Sequence, residues 1–305
     1  MARVWVIGSL NVDRGWRVDR HPSVGETIVG EMVAPAAGGK GLNQAVAAVR
    51  MGADVVLVGR VGDDDDGRWL TALAAAEGID VSGVATSPDR PTGSALIVVD
   101  AQGANTVTVD AGANATLVVG PGLAVSSGDV VVAQLEVPVD AVRAAFDVAR
   151  AVGATSILNP SPIGAGRSLV PLADVVVVNQ AEAAALAGVG SQAGDAVAAI
   201  GQALAIAAHD ATGAAGGELG QTVVVTLGAD GVAAARPGGR VSVPGIAAEA
   251  VDTTGAGDCF LGVLAAGLAE GLALEPALDR ANRAAAVAVT RLGTVAAMPY
   301  DVELD

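Results

Sequence analysis

The sequence predicts an α/β protein built on a doubly wound, mainly parallel sheet flanked by helices, with a small β-sheet lid. Short β-branched runs alternate with alanine-rich helical stretches along the chain. These runs are continuously apolar, which is typical of parallel strands covered on both faces. Residues 13–33 and 91–110 instead alternate apolar and polar positions, as strands of a half-exposed sheet do. We therefore expect a single domain over residues 1–305, with a lid formed from about 13–33 and 91–110.

The expected elements follow one another in strand–helix order. The first strand, 3–7, ends at Gly8-Ser9, and a glycine directly after a strand is the usual end of a β-strand in an α/β unit. A lid hairpin is expected around Gln102-Gly103, with strands at 94–99 and 106–110. The polar, glycine-rich stretch 212–221 is interpreted as a mobile surface loop. Further strands are expected at 55–58, 130–133, 156–158, 175–178 and 222–226, and helices at 42–51, 67–77, 139–152, 181–187 and 193–209.

Composition narrows the class of protein. The formal charge of −16, from 17 basic and 33 acidic residues, opposes binding to nucleic acid or to an anionic membrane. One cysteine, Cys259, cannot form an internal disulfide, and two histidines make a histidine-rich metal site improbable. No apolar run reaches the roughly 18 residues of a membrane span, and the chain opens on a strand pattern instead of a secretory signal. We expect a soluble cytoplasmic protein.

The segment 251–260 carries the strongest chemical signal. Its small residues Gly255, Ala256 and Gly257 precede a helical apolar pattern, so that successive backbone N–H groups can converge on an anion at the helix N-terminus. Asp258 stands at the same turn, where a carboxylate beside a phosphate can accept a proton from an attacking hydroxyl. The alternative is that Asp258 is only a first-turn acidic residue favoured by the helix dipole.

A second glycine-rich turn lies at 36–44 and also opens a helix. Lys40 and Asn43 are three residues apart and share a face near the helix start, where they can hydrogen-bond a polyhydroxylated ligand. The turn is not a Walker A loop, because Ala34 replaces its first glycine and Gly41 replaces its Ser or Thr. A plain tight turn explains this segment equally well.

Polar residues follow several of the expected strands. Asn179 and Glu182 follow the strand 175–178, and Glu136 follows the strand that ends near residue 133. Carboxyl ends of parallel strands meet at one edge of a sheet, so these positions predict one shared crevice. A helix-capping role for Asn179 remains open.

These motifs, taken in order, resemble the ribokinase family over nearly the whole chain. The matching segments are 8–13, 38–45, 134–136 with 159–160, Asn179 with Glu182, 226–231 and 252–258. The last of these, with a helix after it, is similar to a highly specific family signature. The resemblance implies an ATP-dependent sugar kinase with Asp258 as catalytic base and Gly255, Ala256 and Gly257 as the anion hole.

The resemblance also implies binding residues. For the sugar they are Asn11, Asp13, Gly39, Lys40, Asn43, Glu136 and Asp258. For ATP they are Asn179, Thr226, Gly228, Asp230, Gly231, Gly257 and Asn282. Glu182 would hold Mg²⁺ through water, and a monovalent cation, usually K⁺, would be held by Asp252, Thr254, Ala288, Arg291, Gly293 and Ala297.

The expected reaction is phosphorylation of the primary hydroxyl of D-ribose to ribose 5-phosphate. Fructose, deoxyribose or a nucleoside stays open as the acceptor, and so does a non-catalytic sugar sensor on the same fold. No nucleic-acid or membrane partner is expected. Because unpaired strand edges seek partners, the lid predicts a homodimer.

Overall fold

A computed structural model describes residues 2–187, 221–236 and 239–304, and its strands form two sheets. The helix expected at 193–209 and all but the last residue of the loop expected at 212–221 lie outside the described residues. The strands are β1 Arg3–Ile7, β2 Asn11–Arg17, β3 Glu31–Met32, β4 Ala36–Gly38, β5 Asp54–Gly62, β6 Asp80–Ser87, β7 Gly93–Val99, β8 Asn105–Asp110, β9 Val130–Gln134, β10 Thr155–Asn159, β11 Val175–Asn179, β12 Thr222–Thr226, β13 Gly231–Arg236 and β14 Gly239–Pro244. The helices are α1 Lys40–Arg50, α2 Asp65–Ala76, α3 Val139–Val152, α4 Gln180–Ala187, α5 Ala256–Ala269 and α6 Leu274–Ala288.

The large sheet has nine strands in the order β14-β13-β12-β11-β10-β9-β1-β5-β6. Every neighbouring pair from β12 to β6 is parallel, and β13 and β14 extend it as an antiparallel hairpin. Along β1, Val4 and Val6 pack with α1, α5 and α6, whereas Trp5 and Ile7 pack with α3 on the opposite face. This two-sided burial confirms the predicted doubly wound, mainly parallel α/β fold.

The strand order reverses beside β1. The chain leaves β1 for β5 on one side and later returns to β9 on the other. In open α/β sheets, ligands bind outside the carboxyl ends of the strands at such a switch point. The residues that follow β1 and β9 are therefore placed at the expected ligand crevice.

The smaller sheet has the order β3-β2-β7-β8, with β4 also paired to β2. The β7–β8 hairpin turns through Gly103, whose φ of 81° lies in the left-handed region. Strand β8 is exposed along its length and presents Val107 and Val109 to the surface. Strand β2 follows the segment after β1, and β4 leads through Gly39 into α1. These two connections join the smaller sheet to the crevice.

The structure contains elements that the sequence analysis did not assign. These are β6, the β13–β14 hairpin and α6. Strand β6 lies at the edge of the sheet and is half exposed, so it lacks the continuous apolar run that marks its neighbours. Within the described residues, every helix is too short or too polar to cross a bilayer.

Candidate active site

The crevice is closed at its base by contacts between the segments that follow β1 and β9 and the N-terminus of α1. The Ser9 hydroxyl donates to the Glu136 carboxylate, and the Lys40 backbone N–H donates to Glu136 Oε2 at 3.0 Å. Glu136 therefore occupies the helix N-terminus, where the dipole favours an anion. Three segments that are distant in sequence are held together at the switch point.

Asp258 lies in the first turn of α5 and is buried. Its Oδ2 accepts a hydrogen bond from Asn43 Nδ2 at 3.0 Å, and its Oδ1 accepts one from Gln44 Nε2 at 2.8 Å. Lys40 Nζ stands 3.9 Å from Oδ1. A buried carboxylate held by two amides and an ammonium group is oriented far more tightly than a first-turn residue facing solvent.

The carboxylates of the crevice act on the pKa values of Lys40 and Asp13. The nearby Asp258 raises the pKa of Lys40, burial opposes this, and Glu136 and Glu182 reinforce it, so the ammonium form is favoured. Burial, followed by the charges of Glu136 and Asp258, raises the pKa of Asp13 to about 7. The crevice thus combines a cation with hydrogen-bond acceptors, a combination suited to a neutral polyhydroxylated ligand.

Asn11 and Asp13 reach this crevice from β2. A buried Asn114, in the short helix Gly112–Thr116, donates to Asn11 Oδ1 at 2.8 Å and accepts from the Leu10 backbone at 3.0 Å. The Asp13 carboxylate lies against the backbone of Gly38, where a Cβ would fall 2.2 Å from Asp13 Oδ2. A Cβ on Gly39 would fall 2.8 Å from the Asn11 backbone nitrogen. Most of the predicted sugar residues are thereby brought together.

A pocket of about 620 Å³ adjoins the first turn of α5. It is lined mainly by small and apolar residues, as sites for small molecules and cofactors are. The predicted ATP residues Thr226, Gly228, Gly231, Gly257 and Asn282 line it, with Ala256 at the same end. Asn179 and Asp230 are not among the residues that line it. Its other walls come from the segment after β14 and from Ala285, Ala286 and Val289 at the end of α6, none of which the sequence analysis assigned to the site.

Asn179 and Glu182 cap the start of α4. The Asn179 backbone N–H donates to Glu182 Oε2 and the Glu182 backbone N–H donates to Asn179 Oδ1, each at 2.9 Å. This reciprocal pair is a capping box, so the capping interpretation describes the contacts of both side chains. Glu182 nevertheless lies near enough to help raise the pKa of Lys40.

The residues predicted to bind a monovalent cation lie on the loop before α5, at the C-terminal end of α6, and in the loop and short helix that follow it. Asp252 joins these loops, because Oδ1 accepts from the Thr254 N–H at 2.9 Å and Oδ2 accepts from the Gly293 N–H at 3.0 Å. Burial raises the pKa of Asp252, but the hydrogen bonds from Thr254 and Gly293 outweigh it and leave that pKa below its usual value. The Arg291 guanidinium pairs with Glu303 at 2.6 Å, so its side chain is engaged elsewhere. In the part of the chain that the structure describes, no three acidic, histidine or cysteine side chains gather as a metal cluster.

Three contributors were not assigned to the site from sequence. Gln44 and Gln134 lie inside recognised motifs, but only their neighbours were expected to bind ligand. Asn114 belongs to no motif, and its contact with Asn11 spans 103 positions. For Gln44 and Gln134, the sequence signal is an amide residue within a motif. Residue type alone does not reveal which side chain such an amide contacts.

The fold and the two adjoining clefts define an α/β enzyme site for two small molecules. Comparison with known proteins specifies the family. The model of the pfkB family of carbohydrate kinases matches residues 1–301, and the chain belongs to this family. The predicted family resemblance and the predicted class of enzyme are both confirmed.

Individual relatives agree with this assignment. The chain is 34% identical to a ribokinase of Staphylococcus aureus over 99% of its own length and 98% of the relative. It is 33% identical to a bifunctional ribokinase/ribose-5-phosphate isomerase A of Fructilactobacillus sanfranciscensis, of which it spans 55%. The solved structure of Arabidopsis thaliana ribokinase complexed with ribose and ATP has 28% identity and a TM-score of 0.82, over 100% of this chain and 98% of that one.

Proposed function

We propose that this chain is an ATP-dependent ribokinase, which phosphorylates the primary hydroxyl of D-ribose to give ribose 5-phosphate. The observation that carries the proposal is the buried Asp258 carboxylate, fixed by Asn43 and Gln44 where the polar crevice meets the first turn of α5. The full-length similarity to ribokinases supports ribose as the acceptor and ATP as the donor.

The reaction follows from this placement. The sugar hydroxyl attacks the γ-phosphorus of ATP, and its proton passes to the Asp258 carboxylate. The new O–P bond forms as the bond to the β–γ bridging oxygen breaks, and ADP leaves. Backbone N–H groups of Gly255, Ala256 and Gly257 at the helix start are placed to stabilise charge on the transferring oxygens.

The sugar is assigned to the polar crevice. Asn43 Oδ1 is buried and has no hydrogen-bond partner among the described residues, so it can accept a hydrogen bond from a sugar hydroxyl. Asn11, Asp13, Gly39, Lys40 and Glu136 supply the remaining contacts. ATP is assigned to the pocket beside Thr226, Gly228, Gly231, Gly257 and Asn282. Asn179 and Asp230 are retained as outer contacts to the nucleotide phosphates.

Magnesium is assigned to Glu182. One oxygen of this carboxylate accepts the α4 capping hydrogen bond, so we infer that the side chain contacts the ion through water. Mg²⁺ keeps several waters and is usually held by one or two carboxylates with substrate phosphates, so one carboxylate such as Glu182 suffices as the protein ligand. Bound there, the ion would neutralise charge on the nucleotide phosphates.

A monovalent cation, K⁺ in our proposal, is assigned to the loops that Asp252 joins. Asp252, Thr254, Ala288, Arg291, Gly293 and Ala297 would offer mainly backbone oxygens, because the Arg291 side chain is paired with Glu303. The cation would order the loop that precedes the Gly255–Gly257 turn.

The lid and the assembly complete the proposal. We treat residues 1–305 as one domain whose smaller sheet closes over the sugar, because Asn11 and Asp13 belong to β2. The exposed strand β8, with Val107 and Val109, supports a homodimer through paired lids. Sedimentation at micromolar concentration tests this, and a monomer would remove it.

The central experiment is an ADP-release assay with ribose, 2-deoxyribose, fructose and adenosine as acceptors. Ribose is expected to give the highest kcat/KM. Asp258→Asn is expected to lower kcat about 10²–10⁴-fold, the usual contribution of a general base, with a smaller change in ribose affinity. Asp140→Asn is the matched control, because Asp140 also lies in a helix first turn but is exposed.

The outcomes separate the parts of the proposal. Another preferred acceptor would overturn ribose and leave the kinase assignment. Near-normal turnover by Asp258→Asn would overturn the catalytic base. Ribose binding by calorimetry without ADP release in the parent protein would make the chain a sugar sensor.

A further inference from the structure

A chain of buried amides leads from the centre of the sheet to the Asp258 carboxylate. Gln134 Nε2 donates to Gln44 Oε1 at 2.5 Å, and Gln44 Nε2 donates to Asp258 Oδ1 at 2.8 Å. Both glutamines are completely buried. Neither is among the residues assigned above to the sugar, the nucleotide or a cation.

The direction of this chain is set by chemistry. An ionised carboxylate can only accept, so Gln44 must present its amide nitrogen to Asp258 and its oxygen to Gln134. Gln134 must then present its nitrogen to Gln44. Its own Oε1 is left buried with no partner among the described residues. The unsatisfied atom therefore lies at the far end of the chain, and the donors are directed toward Asp258.

The backbone holds this arrangement tightly. Gly262 lies one helical turn after Asp258 on the same face of α5, and a Cβ there would fall 2.3 Å from the Gln44 carbonyl oxygen. Helices α1 and α5 therefore approach each other at the level of Gln44. At the other end, a Cβ on Gly8 would fall 2.2 Å from Gln134 Oε1. The first contact fixes the backbone at Gln44, and the second leaves the Gln134 amide little room to turn.

We propose that Gln44 and Gln134 are positioning residues that act in series on Asp258, with Gln44 fixing Oδ1 and Gln134 fixing Gln44. This inference rests on the proposed role of Asp258 as the base. Asn43 holds the other oxygen and Lys40 Nζ lies 3.9 Å from Oδ1, so loss of Gln44 leaves one hydrogen bond and a longer ion pair to orient the carboxylate. Misplacement of a reacting group by about 1 Å can cost on the order of 100-fold in rate.

The test measures kcat and KM for ribose in Gln44→Met and Gln134→Met, which keep side-chain length and remove the amide. Gln44→Met is expected to lower kcat about 10- to 100-fold with KM changed less than about threefold. Gln134→Met is expected to show a smaller loss, and the double variant should be no worse than Gln44→Met, because the two residues act in series.

The decisive comparison repeats Gln44→Met in an Asp258→Asn background. If Gln44 acts through Asp258, it should lower the residual kcat there less than about twofold, because residues that act as a unit are not additive. An equal loss in both backgrounds, or no loss in the parent, overturns the inference. If Gln44→Met does not fold, Gln134→Met carries the same comparison with the same criteria.

Gln221→Met is the matched control for losing a buried amide. Gln221 Nε2 donates to the Val170 carbonyl at 2.8 Å, its Oε1 also lacks a partner among the described residues, and it lies at the amino end of β12, away from the crevice. This variant is expected to be less stable with kcat unchanged. Near-normal kcat in Asp258→Asn itself would instead overturn the proposed base, so the two failures are distinguishable.

Discussion

Asp13→Asn provides a quantitative test of the electrostatics of the crevice. Burial and the charges of Glu136 and Asp258 raise the pKa of Asp13 from 3.8 to about 7. Between these values the folded protein holds a proton that the unfolded chain releases, so Asp13 costs stability as pH rises from about 4 to about 7. The folded form is therefore penalised most above pH 7.

The size of this penalty follows from the shift. About three pKa units at 1.36 kcal/mol each give a cost of about 4 kcal/mol, an upper value, of which about 3 kcal/mol develops between pH 5 and pH 8. An asparagine at this position does not ionise and removes the penalty. Asp13→Asn should therefore gain stability relative to the parent as pH rises.

The assay is urea unfolding of both proteins at pH 5 and pH 8. Taking the difference in unfolding free energy between variant and parent cancels the titration of shared groups that do not interact with Asp13. The free energy of unfolding of the variant minus that of the parent is expected to be larger at pH 8 than at pH 5 by up to about 3 kcal/mol. Asp89→Asn is the control for the same change of residue type at an exposed position. A pH-independent difference for Asp13→Asn would show that burial and the charges of Glu136 and Asp258 do not raise the pKa of Asp13 in the folded protein.

Three further predictions concern the other parts of the site. Gly38→Ala is expected to weaken ribose binding about tenfold or more by calorimetry, because its Cβ would fall 2.2 Å from Asp13 Oδ2; unchanged affinity would remove Asp13 from the sugar site. Ala286→Leu narrows the pocket beside α6 and is expected to raise the KM for ATP several-fold while ribose affinity is kept. An equal loss of both affinities would contradict the assignment of that pocket to ATP. Asp252→Ala breaks the link to the Thr254 and Gly293 backbones and is expected to abolish any increase of kcat by K⁺ over choline, whereas an undiminished increase would refute the cation assignment.

Much of the fold could be read from the sequence, because its strands are buried on both faces. Strand β12 has an uninterrupted apolar centre of three valines between two threonines, and its predicted bounds of 222–226 match those of the structure. The α3 helix likewise matches at 139–152. Strands at the edge of the sheet lack this two-sided burial, so the same pattern does not detect them. Strand β6 is half exposed, so its composition does not distinguish it from a loop.

The residues of the candidate site also fall into two groups, those that a local sequence pattern reveals and those that it does not. The order of small residues around Asp258 and the glycines before α1 are local patterns, so the sequence by itself determined the family, the class of enzyme and the residue proposed as base. Asn179 shows the limit of such patterns, because its type and position fit both a ligand contact and the cap that its side chain forms.

Only the tertiary structure decided what holds Asp258. Its partners Asn43 and Gln44 are 215 and 214 positions away, and Gln44 meets Gln134 across a further 90. A side-chain hydrogen bond requires a distance of about 3 Å and a defined direction, and both depend on how closely α1 and α5 approach through Gly262. The local pattern therefore specifies which group can react, whereas the packing of distant segments determines where its atoms are held.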